Sequence, residues 1–352
     1  MIKFETCVKY NDKYLFFSRN YNACVSCDDC FSNWEVVASL PKEDFFAFQL
    51  CRKMFVWNDC VIFVPYEAKN VYIFSVIDRK WDMIELRANK DGNESKRFIG
   101  ANLIGDVLWL FGSYYRAIVR IDLTTLNIEY LTDSVIENYF GTDMLFRGDG
   151  CVVGHKILNP MSVNNMLYFV DIDNLTIEKK EIGANNKYSG ICIDGDGFWL
   201  SPRNDETIVY INDRSEIEKE IKLPANNEWG EMTFSGVYKV GSHVLFPSFR
   251  DCYKSVEIDR NTDCIEVKAE AYLFVSCLSK DVTIAQRLDG IIVLWEKDSK
   301  QEYEGNLKKD DLIDFAMKNK ELLVESKKHI SEGIIYENED FSLDEYMKII
   351  CS

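Results

Sequence analysis

The chain alternates short apolar runs with polar turns, and this alternation has a long period as well as a short one. An aromatic or apolar residue opens a run, a polar turn follows about eight residues later, and a second apolar run begins at once. The first copy reads Phe4-Glu5-Thr6-Cys7-Val8-Lys9-Tyr10 with its turn at Asn11-Asp12, followed by Lys13-Tyr14-Leu15-Phe16-Phe17-Ser18. The same frame restarts at Cys51, Phe98, Phe140, Tyr188, Phe234 and Leu273, giving seven copies. Their turns fall at Asp12, Asp59, Asp106, Asp149, Asp196, Ser242 and Asp281, 39 to 47 residues apart by subtraction. Period-two patterning predicts strands, and a self-similar unit of this length predicts one propeller blade of four short strands.

The remaining strands follow from the same frame. A third run ends in aspartate, as in Ala117-Ile118-Val119-Arg120-Ile121-Asp122, Tyr168-Phe169-Val170-Asp171 and Ser255-Val256-Glu257-Ile258-Asp259. A fourth alternates apolar and charged residues, as in Trp34-Glu35-Val36-Val37, Trp81-Asp82-Met83-Ile84 and Ile217-Glu218-Lys219-Glu220-Ile221. That alternation predicts an outer edge strand wet on one side. Glycines at 100, 190 and 236 in the first runs predict strands crowded around an axis.

The fold expected is therefore all-β: a seven-bladed β-propeller of four-stranded antiparallel blades over residues 1–307, with a short C-terminal helical extension over 308–352. The blades are expected at about 1–42, 45–90, 96–134, 139–183, 187–224, 228–270 and 272–307. Beyond Leu307 the pattern takes helical spacing from Asp310 to Leu323, with acids first and lysines last, as the helix dipole favours. A second helix is expected from Ser342, capped with Glu345 three residues on, and the extension's apolar face is expected to pack on the propeller. Ring closure needs no swapped strand, although Ile334-Ile335-Tyr336 offers one.

The second-strand runs, the aspartate after the third strand, and tryptophan opening the fourth at Trp34 and Trp81 resemble propellers of the kelch or galactose-oxidase-like type. The glycine pair that ends the second strand of such blades is replaced here, for example by Ser18-Arg19 and Pro65-Tyr66. One blade, Gly190-Ile191-Cys192-Ile193-Asp194-Gly195-Asp196-Gly197-Phe198-Trp199, resembles blades of streptogramin-lyase and lactonase-like propellers.

Charge narrows the partners. A formal net charge of −17 repels nucleic-acid phosphates and anionic lipid, so neither nucleic acid nor membrane is expected to bind. No leader pattern or long apolar run is seen, and a cytoplasmic protein is expected. Most of the 12 cysteines sit inside strand-like runs as small hydrophobes. Cys24, Cys27 and Cys30 have spacing suited to zinc or an iron–sulfur cluster, but the repeat assigns Cys24 and Cys27 to a third strand, so packing is favoured and no metal or other cofactor is expected.

Topology points to the site. Loops from second to third strand, and from each fourth strand to the next blade, emerge on one face and are long; such loops on a rigid scaffold carry function. Arg19, Arg116, Lys156, Arg203, Arg250 and Arg287 are assigned to second-to-third-strand loops, with Tyr66 in the remaining blade. With Tyr114, Tyr188 and Trp229 they form the expected ligand-binding set. The leading expectation is a non-catalytic module that binds a protein, peptide or carbohydrate, anionic in character, on this face. The alternative is a propeller hydrolase or lyase acting on a polysaccharide or small anionic metabolite. It would use His155, Asp143 or Glu231 for proton transfer, with Glu5 a further acid facing the channel. A scaffold working through the C-terminal helices is the third possibility.

Overall fold

The computed structural model describes residues 2–88, 97–139, 143–183, 186–203, 206–224, 234–248, 254–331, 346–347 and 349–350. Among the described residues, the strands form seven four-stranded antiparallel sheets, each made of four strands consecutive in the chain. Blade 1 comprises Phe4–Tyr10, Lys13–Ser18, Cys24–Asp28 and Glu35–Ala38; blade 2 comprises Cys51–Trp57, Cys60–Pro65, Val71–Ser75 and Lys80–Ile84. Phe98–Ile104, Val107–Gly112, Ile118–Asp122 and Ile128–Leu131 make blade 3. In blade 4 the strands are Cys151–Val153, Lys156–Pro160, Met166–Asp171 and Ile177–Glu181. Blade 5 has Tyr188–Asp194, Gly197–Pro202, Thr207–Asn212 and Ile217–Lys222. Tyr238–Val240, His243–Phe246, Ser255–Asp259 and Ile265–Lys268 form blade 6. Blade 7 runs Tyr272–Ser279, Val282–Arg287, Ile292–Glu296 and Ser299–Tyr303. The ring is a seven-bladed β-propeller.

Burial explains the patterning. Second strands are sandwiched between neighbouring blades, and Gly197–Pro202 is buried at every position. Outer strands such as Ile177–Glu181 are almost wholly exposed. The first-to-second-strand turns at Asn11, Asn58, Gly105, Gly154, Gly195 and Gly241 all begin with a positive φ, the geometry that two-residue hairpins of right-handed twist require.

The recurrent aspartate has a local cause. Asp122 accepts from the Thr124 and Thr125 amides at 3.0 Å each, Asp171 from Asp173 and Asn174, and Asp259 from Asn261 and Thr262. Each side chain thus folds the hairpin into the fourth strand. These bonds favour the charged carboxylate, and Asp122 is held down at about 2, chiefly by the Thr124 hydroxyl and then the Thr125 amide. A depressed folded-state value contributes stability above the ordinary carboxylate range that is lost as pH falls towards 2. The Asp122→Asn variant is therefore expected to lose less melting temperature than the native chain between about pH 4 and pH 2. Equal losses in parallel thermal melts would remove this account.

At the axis the innermost strands nearly touch. A Cβ on Gly100 would lie 1.9 Å from the Gly148 carbonyl oxygen, one on Gly148 would lie 2.9 Å from that of Ser189, and one on Gly190 would lie 3.1 Å from the Gly236 Cα. The predicted crowding at 100, 190 and 236 is real, and Gly148 completes it. Blade 1 closes on blade 7 without exchanging strands. Gln286, fully buried, donates to the Ile2 carbonyl at 3.0 Å and accepts from the Phe4 amide at 2.7 Å. The alternative closing strand at 334–336 lies outside the described residues.

One copy of the repeat is out of phase with its prediction. Blade 4 turns at Gly154-His155 rather than Asp149, and Phe146 is its buried aromatic anchor; Phe140, where the repeat is expected to restart, lies outside the described residues. His155 therefore lies in that turn and Lys156 opens the second strand, both on the short-turn face, opposite the long loops where the turn-centred frame puts them.

The C-terminal extension forms a helix Lys309–Lys318, a 3-10 turn Lys320–Leu323 and a helix Val324–Ser331; the helix start expected at Ser342 lies outside the described residues. Leu312, Ala316 and Leu323 pack in one core with Ile2, Tyr21, Phe45 and Phe46. Asp44, buried in the loop leaving blade 1, accepts from the Ser326 hydroxyl at 2.6 Å and contacts His329 Nδ1 at 2.8 Å. His329 thus fastens the extension to the ring. Among the described residues no helix is long and apolar enough to cross a membrane.

Candidate functional site

Each blade opens with a buried anchor and a following residue: Phe4-Glu5, Cys51-Arg52, Phe98-Ile99, Phe146-Arg147, Tyr188-Ser189, Phe234-Ser235 and Tyr272-Leu273; all the following residues but Ser189, which is buried against Ser201 and the Phe234 carbonyl, line the axial channel. Pairing with the second strand skips one residue there in five blades. The register shifts from Phe4 to Thr6, Cys51 to Lys53, Phe98 to Gly100, Tyr188 to Gly190 and Tyr272 to Phe274. The omitted residues are Glu5, Arg52, Ile99, Ser189 and Leu273. A bulge of this kind frees a side chain from the sheet and re-aims it, in blades 1, 2, 3 and 7 to the axial channel.

The mouth is a cup of about 410 Å³, within the range of small-ligand sites. Lys3, Arg19, Arg52 and Arg147 supply its cations, and Ile99, Met144, Leu273 and Leu288 its apolar surface. Below it the channel narrows to about 60 Å³. There Lys53 and Asp149 form an ion pair beside Tyr238. Burial pulls the Lys53 ammonium down, but attraction and hydrogen bonding to Asp149 outweigh it and leave the group above its ordinary range. The cup is reached from the loop-rich face.

Glu5 is the hub of the charged part. Its side chain is wholly buried and meets Arg19 Nη1 at 2.5 Å, Gln49 Nε2 at 2.7 Å and Arg52 Nε at 3.1 Å. Arg52 also lies over the Tyr66 ring at 5.2 Å, so its guanidinium is held on two sides. These contacts order a positive cup before any ligand arrives.

The expected site residues divide. Arg19 and Tyr66 line the cup. Arg203, almost fully buried, binds Asp143 at 2.9 Å and the Ser162 carbonyl at 2.5 Å, so it ties two loops together and occupies the carboxylate that was a candidate acid. Arg287 joins a rim network with Asp289, Glu302 and Glu270 at the edge of blade 7. Tyr114 faces the Arg97 guanidinium at 5.2 Å, and Arg116 sits half-buried in the same loop. Tyr188 is fully buried in the core between blades 4 and 5, where it packs rather than faces a ligand. Trp229, Glu231 and Arg250 lie outside the described residues.

Two assignments are corrected. Lys156 pairs with Glu178 at 2.7 Å and His155 with Asp173 at 2.8 Å, both on the short-turn face, so neither shares a site with Asp143 or Arg19. The cysteine cluster also divides. Cys24 packs in the core between blades 1 and 2, Cys27 in that between blades 7 and 1, and Cys30 is exposed in the turn. Burial pushes the Cys24 and Cys27 thiols up to about 12, as expected of cysteines packed in apolar cores.

Arg52 and Arg147 are the residues that sequence reading missed. Aligning the copies on their buried anchors places both at one repeat position, whereas aligning them on turns shifts blade 4 and hides Arg147.

No family model matches the chain, and no curated protein matches it. Solved structures do. Virginiamycin B lyase from Staphylococcus aureus is 14% identical over 86% of this chain and 94% of its own, with a TM-score of 0.62. The WD40 repeats of RRP9 are 8% identical over 82% and 88%, with a TM-score of 0.59. A component of the mitotic checkpoint complex is 9% identical over 84% and 86%, with a TM-score of 0.59. The likeness is one of fold.

Proposed function

We propose that this protein is a non-catalytic recognition module that binds a protein or peptide partner on its loop-rich face, centred on the axial cup. The observation that carries this reading is the ring of residues that follow the buried anchors, which in six of the seven blades line the axial cup or the channel below it. Propellers of similar fold occur in protein complexes, the mitotic checkpoint complex among them. The acidic surface around a cationic cup favours a partner that presents an anionic group at one point. Kinship with kelch-type propellers rests on Trp34 and Trp81, and a carbohydrate ligand on Tyr66 at the mouth.

A peptide array probed with the full-length protein tests the reading. Bound peptides are expected to be lost with Leu288→Glu, which places a carboxylate in the cup, and kept with Lys156→Glu on the opposite face. Equal loss in both variants, or no bound peptide, would overturn it. Cleavage or elimination of bound peptides or added polysaccharides would instead establish the hydrolase or lyase alternative.

A further inference from the structure

Arginine is in excess at the cup. Arg19 and Arg52 share the single carboxylate of Glu5, and Asp143 is taken by Arg203. Arg147 forms no hydrogen bond or ion pair among the described residues. Yet it is not a loose surface side chain. It follows the buried anchor Phe146, and the backbone after it is pinned. The Gly148 carbonyl accepts from Asn159 at 3.0 Å, Asp149 accepts from the Ala101 amide at 3.1 Å, and the Gly150 carbonyl accepts from Asn102 at 2.8 Å. Burial, then the adjacent Arg203, with Arg52 adding, pull the Arg147 guanidinium down to about 10, so it is still charged at neutral pH.

A guanidinium that is carried on a pinned backbone, partly desolvated and close to other guanidiniums costs stability, and an arriving anion relieves that cost. A planar carboxylate matches a guanidinium with two parallel hydrogen bonds. The adjoining surface from Ile99, Leu273 and Leu288 suits an apolar group beside that charge. The constriction at Lys53 and Asp149 limits entry to the tip of a ligand.

We infer that the axial cup is a carboxylate-binding site in which Arg147, backed by Arg52, holds a peptide carboxylate while Ile99, Leu273 and Leu288 receive the neighbouring apolar side chain. The inference rests on the recognition reading and names the chemical group that the partner presents. That group comes from the C-terminus of a polypeptide or from an acidic side chain.

Titration calorimetry on the full-length protein tests this with N-acetyl-leucine, N-acetyl-leucinamide, amidated N-acetyl-leucyl-glutamate and inorganic phosphate. A free carboxylate is expected to bind at one site at least about 10-fold more tightly than N-acetyl-leucinamide, as loss of a charge-assisted hydrogen-bond pair implies. Tighter binding of N-acetyl-leucine identifies a C-terminus as the source, and tighter binding of the glutamate compound identifies a side chain. Arg147→Gln is expected to weaken the preferred ligand by about 10-fold or more while its melting temperature stays equal or rises, because the substitution removes a repelled charge. A merely structural arginine would lower the melting temperature. Ile99→Ser is expected to weaken N-acetyl-leucine but not acetate.

The inference is overturned if acid and amide bind alike, if phosphate binds as tightly as the carboxylates, if no saturable binding appears, or if Arg147→Gln leaves affinity unchanged. Carboxylate binding with no peptide bound on the array would leave this site standing and remove the recognition reading. Array peptides that bind equally to the native protein and Arg147→Gln would do the reverse.

Discussion

Gly100→Ala is expected to destabilise the propeller by about 3 kcal/mol or more, at the upper end of overpacking costs. The new methyl would lie 1.9 Å from the Gly148 carbonyl oxygen and 2.7 Å from its carbon. Both are backbone atoms, and the Gly148 segment is held by hydrogen bonds to blade 3 and within blade 4. Neither side can give way without moving a blade relative to the axis. Gly105→Ala is the control, since that turn glycine has φ +57 but no atom within 4 Å of a new Cβ. Only backbone strain of about 1 kcal/mol is expected there. Denaturant midpoints for the two variants should differ clearly, and similar midpoints would mean that the blades are not locked at the axis.

The second large effect is expected at Glu5. Removing its carboxylate in Glu5→Ala leaves Arg19 and Arg52 facing each other and Gln49 without its acceptor. Breaking one side of a buried ion pair costs about 3–5 kcal/mol. Arg19 and Arg52 keep 25% and 24% side-chain exposure and gain some hydration, so the lower end, about 3 kcal/mol, is expected. The double variant Glu5→Gln with Arg52→Gln should recover part of the loss, because it removes a stranded charge as well. An unchanged melting temperature in Glu5→Ala would show that this cluster is not what orders the cup. The position also matters for binding, because Glu5 fixes the guanidinium beside Arg147.

Periodicity carried much of this architecture because a propeller repeats one local unit. Hairpins recur in all seven blades, an Asx turn at residues such as Asp122 and Asp259 in most of them, and a glycine near the axis in four, so much of the pattern is written several times over. The site was less legible, since it is built where the copies differ. Glu5, Arg52, Ile99 and Arg147 occupy one repeat position with three different kinds of side chain, and a search for similarity passes over such variation. Blade 4 added a second obstacle. Its turn is Gly154-His155 rather than one carrying aspartate, so Asp149 takes that role in the pattern and draws His155 and Lys156 to the wrong face.

By itself the amino-acid sequence determined the seven-fold repeat, and the strands and turns of every blade but the fourth, because these depend on alternation and turn chemistry within about 45 residues. Only the tertiary structure decided which side chains meet at the mouth. Glu5 lies 44 positions from Gln49, and Lys53 lies 96 from Asp149; they are joined by ring closure and by bulges that turn single residues to the axis. The cationic cup is thus a product of juxtaposition across blades, which no pattern confined to one blade encodes.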